Sequence, residues 1–265
     1  MGYKKLSNEQ ELQLVKEYMD GVPVKDLMSK YGFATKKSII DKVKKHCGEE
    51  YEQIIKEARV NRKGYNYTFD GINSHFDAYF LGLMLTDGYI TTRGYDAGID
   101  LTDEDCIKFL SESIGKKYTT IKSNNERKDR YRLILTDKTL VNNLEKYGVV
   151  QNKSLKLGRV PLTPEEEKFL PYIIRGIIDG DGNVTPTSYG APSFKIYSAS
   201  KDFLEWVKDV LENKMYMIDI QIHFTPNEYN GMWVLSSSNH NNILKLIALS
   251  YDKPFGMNRK YNELR

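Results

Sequence analysis

Apolar residues follow a helical spacing through the first fifty residues of the chain. Between Asn8 and Met19 they recur at intervals of three and four residues, which predicts an amphipathic helix. The pattern resumes over Val24–Tyr31 after a Gly-Val-Pro stop, and Gly32 ends it. Thr35 is the predicted cap of a third helix, Lys36–Cys47. These three short helices predict a small all-α domain.

Two helices joined by a tight glycine turn are typical of a helix-turn-helix, in which the second helix enters the DNA major groove. We therefore predict a DNA-binding domain over residues 1–60, followed by a Gly-, Asn- and Tyr-rich linker over 61–74. A helical bundle with a solvated basic face is the alternative. The predicted DNA contacts are the lysines that the third helix directs outward: Lys36, Lys37, Lys42, Lys44 and Lys45.

The composition excludes several classes of protein. The 265 residues are 40% hydrophobic, which is enough to build a sizeable core. Lys plus Arg is 39 and Asp plus Glu is 36, so histone-like basicity and acidic disorder are excluded. Two cysteines cannot make a disulfide scaffold or a four-cysteine zinc site. No apolar run approaches the roughly 20 residues of a membrane span. We expect an intracellular, cytoplasmic protein that does not bind membranes.

A second pattern occurs twice in the rest of the chain. YFLGLMLTDGYI begins at Tyr79 and YIIRGIIDGDGNV begins at Tyr172, and each describes an apolar helix with a glycine five residues before an aspartate. After each copy come two alternating stretches, a capped helix, two further alternating stretches and a last helix. The predicted caps are Thr102 and Ser200. This internal repeat predicts two αββαββα units, over residues 75–160 and 161–265.

The glycines and aspartates of the two copies indicate a shared site. Gly82 and Gly176 lack a Cβ, so two helices can pack closely there. Close packing brings together Asp87 and Asp181, which repel each other and the partial negative charge of the helix ends. Divalent cations relieve that conflict, and Mg²⁺ prefers carboxylate ligands. We predict a metal site for phosphodiester hydrolysis at these two acids. The glycines that follow them, Gly88 and Gly182, are included in the predicted site.

The two copies resemble the LAGLIDADG signature of homing endonucleases, and the resemblance covers roughly residues 75–265. The first copy, FLGLMLTDG, has Leu85 at the sixth position of the motif, where the second, IRGIIDGDG, keeps Asp179. Both copies keep the acid at the eighth position, the metal-binding acid of the family. The resemblance implies an α+β fold in which two αββαββα repeats form a pseudo-twofold domain with saddle-like DNA-binding β-sheets.

The resemblance also implies the activity. It is that of a site-specific double-strand DNA homing endonuclease, with one catalytic aspartate for each strand and 3′ overhangs in the product. The implied cofactor is Mg²⁺ or Mn²⁺, with Ca²⁺ as a non-catalytic substitute. The implied partner is double-stranded DNA with a long, weakly symmetric target. The implied protein is a monomer, intron-encoded or free-standing, from a bacterial, phage or organellar mobile element.

Further site residues follow from the same resemblance and from strand alternation. The family uses a basic residue after the last helix of each repeat, which corresponds to Lys153 and, with Arg259 and Lys253 as neighbours, to Lys260. Two-stranded ribbons fit the major groove, and alternate side chains on a strand share one face. The predicted DNA contacts on the strands are Lys122, Asn124, Arg130, Arg132, Lys195, Tyr197, Gln221, His223, Ser236 and Ser238.

Two other functions remain open on the same fold. A transcription regulator that has lost cleavage, or an intron maturase that binds RNA, would also combine these repeats with a helix-turn-helix. Regulators tend to lack the acids, whereas this chain has both Asp87 and Asp181. We therefore prefer the nuclease, while a maturase that kept its acids stays possible.

Overall fold

The computed structural model describes residues 6–53, 55, 58, 63–123, 128–185, 193–226 and 231–264. The chain divides into two compact units, Met1–Tyr67 and Thr68–Arg265. The division lies inside the predicted linker. Among the described residues, no helix is long and apolar enough to cross a membrane.

The first unit contains the three predicted helices, and their bounds are confirmed: α1 (Asn8–Met19), α2 (Val24–Tyr31) and α3 (Lys36–Cys47). Thr35 accepts a hydrogen bond from the Ser38 amide, as an N-cap should, and satisfies a donor that the helix leaves free. Gly32 ends α2 with φ of 75°, a left-handed conformation that glycine adopts without strain. The apolar faces of the helices meet in a core that includes Leu14, Leu27, Ile39 and Val43.

The second unit contains two copies of one topology. The first copy consists of α4 (His75–Leu85), β1 (Gly88–Ile90), β2 (Asp96–Leu101), α5 (Glu104–Ile114), β3 (Thr119–Ile121), β4 (Arg130–Thr136) and α6 (Lys138–Glu145). The second consists of α7 (Leu170–Asp181), β5 (Gly182–Thr185), β6 (Ser193–Ser198), α8 (Lys201–Asp209), β7 (Gln221–Thr225), β8 (Met232–Ser237) and α9 (His240–Leu249). A short helix, α10 (Asn258–Glu263), follows.

Each copy forms its own antiparallel sheet of four strands. The strand order is β1-β2-β4-β3 in the first sheet and β5-β6-β8-β7 in the second, so corresponding strands occupy corresponding places. The predicted fold class is thereby confirmed: one unit is α+β, with two αββαββα repeats in a pseudo-twofold arrangement, and the other is small and all-α. The predicted cap Ser200 is correct, but α5 begins one residue later than expected, with Asp103 rather than Thr102 at its N-cap.

Strand alternation separates a packed face from an open face on each sheet. In β6, Phe194 and Ile196 are fully buried under the helices, and Lys195 between them is exposed. In β4, Leu133 and Leu135 are buried, while Arg130 lies on the other face and is exposed. The open faces therefore carry the polar side chains that the sequence assigns to DNA.

Candidate functional site

The two motif helices, α4 and α7, pack directly on each other through their glycines. A Cβ added to Gly82 would lie 2.3 Å from the Ile173 carbonyl oxygen, and one added to Gly176 would lie 2.4 Å from that of Tyr79. Both conflicts are with backbone atoms, which cannot rotate away. This is the close approach that the glycine spacing predicts. One turn further on, a Cβ at Gly180 would conflict with the Thr86 hydroxyl, which is a side-chain group.

The glycines that follow the two acids are required by close packing and not by a left-handed helix end. Helix α4 ends two residues before Asp87, and α7 ends at Asp181. Neither Gly88 nor Gly182 has a left-handed φ. A Cβ at Gly88 would lie 2.5 Å from the Met84 Cα, and one at Gly182 would lie 2.5 Å from the Ile178 carbonyl oxygen. Glycine is therefore needed because the chain turns back over the last turn of each helix.

The two acids lie at the same end of the paired helices. A Cβ on Gly180, the residue before Asp181, would be 3.0 Å from an Asp87 carboxylate oxygen. Loss of hydration and then the Asp181 charge raise the pKa of Asp87 to about 6, although Lys260 and Lys153 oppose the shift. Surrounding protein also raises the pKa of Asp181, which keeps solvent-exposed surface. The arrangement places two carboxylates where their charges are poorly compensated.

Each motif helix is closed by a buried lysine. Lys153 is 7% exposed, and its Nζ donates to the Thr86 and Gly88 carbonyl oxygens at 2.7 and 2.5 Å. Lys260 is 2% exposed, and its Nζ donates to the Ile178 and Asp179 carbonyl oxygens at 2.5 and 2.6 Å. Helix C-termini leave carbonyls unpaired and carry partial negative charge, which an ammonium group neutralises.

The charges of the acids also act on the two lysines. Desolvation lowers the pKa of both ammonium groups, while the charge of Asp87 acts on both in the opposite sense. Sequence reasoning placed Lys153 and Lys260 near the site, but it did not predict that they cap the helices. Nothing in the local sequence distinguishes a capping lysine from a solvated one.

The donor set fits a divalent cation. Asp87 and Asp181 supply carboxylate oxygens, and a bound cation would favour the ionised forms that desolvation now disfavours. Within the described part of the chain, no group of three or more His, Cys, Asp or Glu side chains could hold a metal. Further ligands would therefore come from backbone carbonyls, water or phosphate, as Mg²⁺ commonly accepts. A cation there would polarise a phosphate oxygen and acidify bound water.

The two glycines of the predicted metal site differ in how well they fit. The Gly88 carbonyl already accepts the Lys153 ammonium, whose positive charge would repel a cation on the same oxygen. Gly88 therefore fits a metal ligand less well than Gly182 does, and its role stays a prediction. Gly182 opens β5 opposite Ile196, and its role stays a prediction.

A cleft of about 200 Å³ opens beside the second acid. Asp181 and Thr86 line it at the helix ends, and Ser154 lines it on the segment that follows α6. Tyr197, predicted to contact DNA, and the adjacent Ser198 line it from β6. The cleft connects Asp181 with Tyr197 on the open face of the second sheet.

The predicted DNA-contacting residues of the second repeat lie mainly in one row. Strand pairing aligns Lys195 with Ser236 and Ser236 with Gln221, and Asn183 extends the row on β5. Sequence reasoning missed Asn183 because β5 was assigned to the motif rather than to the sheet. Of the other three predicted residues, Tyr197 and His223 both lie opposite Val234, next to the row, and Ser238 lies beyond the end of β8.

The first repeat presents a charged network on its open face. The Arg132 Nε donates to an Asp100 carboxylate oxygen at 2.8 Å, and Nη2 donates to the other at 2.6 Å. The Tyr89 hydroxyl donates to the same carboxylate at 3.1 Å. The Tyr89 ring crosses Gly98, where a Cβ would come within 2.4 Å of it. Arg132, predicted to contact DNA, is thus held by Asp100 on the neighbouring strand β2, and Tyr89 on β1 in turn holds Asp100.

The structure describes only some of the other predicted contacts of the first repeat. Lys122 lies just beyond β3 instead of on a strand, and its ammonium pairs with Asp129 at 2.6 Å. Asn124 lies outside the described residues. Arg130, opposite Ile121 in the register, is exposed as expected.

In the N-terminal unit, one expected orientation is wrong. Glu11 on α1 is only 7% exposed and accepts hydrogen bonds from Lys42, Lys45 and His46. The Lys42 and His46 hydrogen bonds lead in lowering the pKa of Glu11 to about 2. Lys42 is therefore drawn inward to a buried acid 31 residues away, which the pattern of α3 alone could not reveal. The lysines that remain exposed are Lys36, Lys37, Lys44 and, despite its ion pair, Lys45.

Two αββαββα repeats, paired motif glycines and an acid at each helix end are the features that the resemblance to the LAGLIDADG family implies. Residues 169–249 match the family model described as a LAGLIDADG-like domain. The chain carries a LAGLIDADG-like domain in its second repeat, and the resemblance stated from the motifs is confirmed.

Individual proteins and structures are also similar to this chain. DNA-directed RNA polymerase subunit Rpo1C of Methanocaldococcus jannaschii is 26% identical over 136 residues, which are 50% of this chain and 15% of that protein. Variants of the homing endonuclease I-DmoI share 19% identity over 67% of this chain and 90% of theirs, with a TM-score of 0.43. The N-terminal LAGLIDADG domain of DUF199/WhiA shares 14% over 70% and 86%, with a TM-score of 0.45. The meganuclease I-SmaMI shares 11% over 73% and 89%, with a TM-score of 0.41.

Proposed function

We propose that the chain is a homing-type endonuclease that cuts both strands of DNA by divalent-metal-assisted phosphodiester hydrolysis. One observation carries the proposal: the two motif helices deliver Asp87 and Asp181 to the same end, and each helix has its own buried lysine. A binding protein would have no need to maintain two poorly compensated carboxylates beside two desolvated ammonium groups, because each raises the free energy of the folded state.

Each acid with its lysine forms one half of the proposed site. Asp87 and Asp181 hold Mg²⁺ or Mn²⁺, and Ca²⁺ binds there without supporting cleavage. Lys153 and Lys260 place positive charge near the scissile phosphates, where negative charge develops as the bond breaks. We propose that each half serves one strand and that the products carry 3′ overhangs.

The proposed substrate is double-stranded DNA with a long and weakly symmetric target. Two similar sheets give approximate symmetry, and their different open faces limit it. Exposed Lys36 and Lys37 lie at the start of α3, where a recognition helix contacts bases and phosphates. We propose that the N-terminal unit adds such contacts, that the protein acts as a monomer, and that it works inside a bacterial cell, a phage-infected cell or an organelle.

Asp181→Asn tests the proposal. The variant loses a metal-binding charge while it keeps the size of the side chain, so cleavage should fall on the order of a hundredfold or more. Cleavage is measured on a library of duplexes with Mg²⁺ or Mn²⁺, and binding to the selected duplex is measured with Ca²⁺. Binding should stay within about threefold, because the base-contacting faces are unchanged.

Asp202→Asn, at an exposed position of α8, is the matched control and should cut like the natural chain. Retained cutting by Asp181→Asn would reject the assignment of the acid. If the natural chain binds duplexes or RNA but cuts none with either metal, the chain is a regulator or a maturase instead.

A further inference from the structure

Arg175 is a fully buried arginine in the middle of the second motif helix. Its guanidinium donates to the Lys253 carbonyl oxygen at 2.8 Å, to that of Ser250 at 3.3 Å and to that of Phe255. The guanidinium carbon also lies 3.6 Å from the centroid of the Phe255 ring, a cation–π contact. One side chain of α7 therefore binds three backbone positions of the segment that follows α9, which we name the 250–257 segment.

Asp179, one turn further along α7, binds both ends of the same segment. Its side chain is also fully buried. One carboxylate oxygen accepts the Tyr251 hydroxyl at 2.7 Å, and the other accepts the Met257 amide at 3.2 Å. The Tyr79 hydroxyl of α4 donates to that second oxygen at 2.7 Å. Because Arg175 and Asp179 are four residues apart, they lie on one face of α7 and hold the segment together.

The 250–257 segment leads directly to the second catalytic lysine. Helix α10 begins at Asn258, and Lys260 lies in its first turn. From there its ammonium reaches the last carbonyls of α7, including that of Asp179 at 2.6 Å. The position of Lys260 relative to Asp181 therefore depends on where the segment delivers the start of α10.

The first repeat positions its lysine without charged residues at the corresponding places in its motif helix. Leu81 and Leu85, both buried, occupy the positions that correspond to Arg175 and Asp179. Lys153 follows the end of α6 by eight residues, whereas Lys260 follows the end of α9 by eleven. The shorter connection is held by the Gln151 amide, which donates to the Thr91 carbonyl oxygen at 2.9 Å. A longer connection loses more conformational freedom when it is ordered, so it needs more contacts.

We propose that Arg175 and Asp179 are positioning residues, which fix the 250–257 segment and thereby hold Lys260 beside Asp181. The expected effect on activity rests on the proposed nuclease function. Only the second half of the site, with Asp181 and Lys260, should depend on these two residues. Buried charges are costly, and replacing such pairs with apolar residues often stabilises a protein, so a positional role accounts for their presence here.

The test is Asp179→Asn in the full-length chain. An amide removes the charge and one of the two acceptor oxygens, which loosens the segment while filling the same volume. The first readout is the cutting of plasmid DNA that carries the target. Cutting of one strand should slow roughly a hundredfold, so that nicked plasmid accumulates, because small displacements of a catalytic group cost about that much. The slowed strand should be the one that Lys260→Met also slows.

The second readout does not require activity. Lys260 should react with an amine-acetylating reagent about tenfold faster in Asp179→Asn than in the natural chain, as measured by mass spectrometry, while Lys153 stays protected. Leu81→Met, a volume-conserving change at the position of the first motif helix that matches Arg175, is the control. It should leave both strand rates and the protection of Lys260 unchanged.

Equal slowing of both strands, slowing of the strand that Lys153→Met also slows, or full protection of Lys260 would overturn the proposal. If Asp179→Asn does not fold, Tyr251→Phe removes a single hydrogen bond to the carboxylate and should give the same strand bias to a smaller degree. Absence of strand bias and of labelling in that variant also overturns the inference. If the natural chain cuts no DNA, the nuclease proposal fails, and the labelling alone decides whether Asp179 positions Lys260.

Discussion

The two repeats of the second unit share a fold and a site but differ in the interior of their motif helices. Both have the same strand order, a glycine at the helix contact, an aspartate at the helix end and a lysine that caps it. Behind these, the first repeat has Leu81 and Leu85, whereas the second has Arg175 and Asp179. What is shared is what the helix contact and the chemistry require. The buried charged residues occur in the repeat that has the longer connection from its last helix to its lysine.

The open faces of the two sheets also differ, although the backbones beneath them correspond. In the first repeat, Tyr89, Asp100 and Arg132 form a connected network that orients one guanidinium. In the second, a row including Lys195 and Gln221 crosses the sheet by strand register. A pseudo-symmetric backbone can therefore carry two recognition surfaces of different character, which suits a target that is only weakly symmetric.

The glycine contact is the shared element whose loss should have the largest effect. In Gly82→Ala and Gly176→Ala, the new methyl group meets a backbone carbonyl, so α4 and α7 must separate. Each variant should lose about 3 kcal/mol or more of unfolding free energy, at the upper end of overpacking costs. Urea unfolding followed by circular dichroism measures the loss.

Gly158→Ala is the control, because a Cβ there meets nothing within 4 Å. It should change stability by less than about 0.5 kcal/mol. If either motif variant were as stable as Gly158→Ala, the helices could not be held by their glycines, and the pseudo-symmetric contact would be the wrong basis for comparing the repeats.

Most of the architecture could be predicted from the sequence, because it depends on local patterns. Helical spacing gave the bounds of α1 to α3, and the repeated motif gave the αββαββα topology. The same spacing placed both acids at helix ends. Each of these follows from residues within one turn or one strand of each other.

The remaining features depend on contacts between residues far apart in the chain. Asp179 meets Tyr79 across 100 positions, and Lys153 meets Thr86 across 67. The inward turn of Lys42 likewise depends on Glu11, in another helix. A polar residue whose partner lies in a different element has no local signal, so sequence reasoning directed Lys42 outward and gave Asp179 no role.

The acids of the two repeats should contribute differently to the pH dependence of stability. Because the folded-state pKa of Asp87 is raised to about 6 from its ordinary value of 3.8, the metal-free protein favours the protonated form. Its stability should therefore fall as the pH rises from about 4 through about 6. A cation reverses this by favouring the ionised form. Ca²⁺ should raise the Tm by roughly 3–6 °C at pH 7.5 and by much less at pH 5.

Asp87→Asn should abolish most of that gain and should itself stabilise the metal-free protein at pH 7.5. Asp181→Asn should do the same to a smaller degree, because Asp181 keeps more contact with solvent. Differential scanning calorimetry at the two pH values makes the comparison. An equal gain with Ca²⁺ at both pH values would show that the acids are not coupled to cation binding.

Substitutions on the open faces should have the smallest effects, and each should change one particular property of DNA binding. Asp100 and Tyr89 hold Arg132 in one orientation, so Arg132→Ala should relax discrimination at one base pair by about tenfold, within the 1–3 kcal/mol of a specific contact. Lys195 is exposed on the row of the second sheet, and as a phosphate contact it should act on all sequences alike. Lys195→Ala should reduce the slope of log affinity against log salt by about 1.

Binding selections at two salt concentrations distinguish these outcomes, and Asp100→Asn tests the cause of the difference. If orientation by the carboxylate gives Arg132 its specificity, Asp100→Asn should relax the same base pair while leaving the arginine charge, and hence the salt slope, in place. Loss of discrimination at the same base pair in Arg132→Ala but not in Asp100→Asn would mean that the guanidinium needs no support. Matching effects from Arg132→Ala and Lys195→Ala would mean that the two sheets read DNA in the same way, despite their different surfaces.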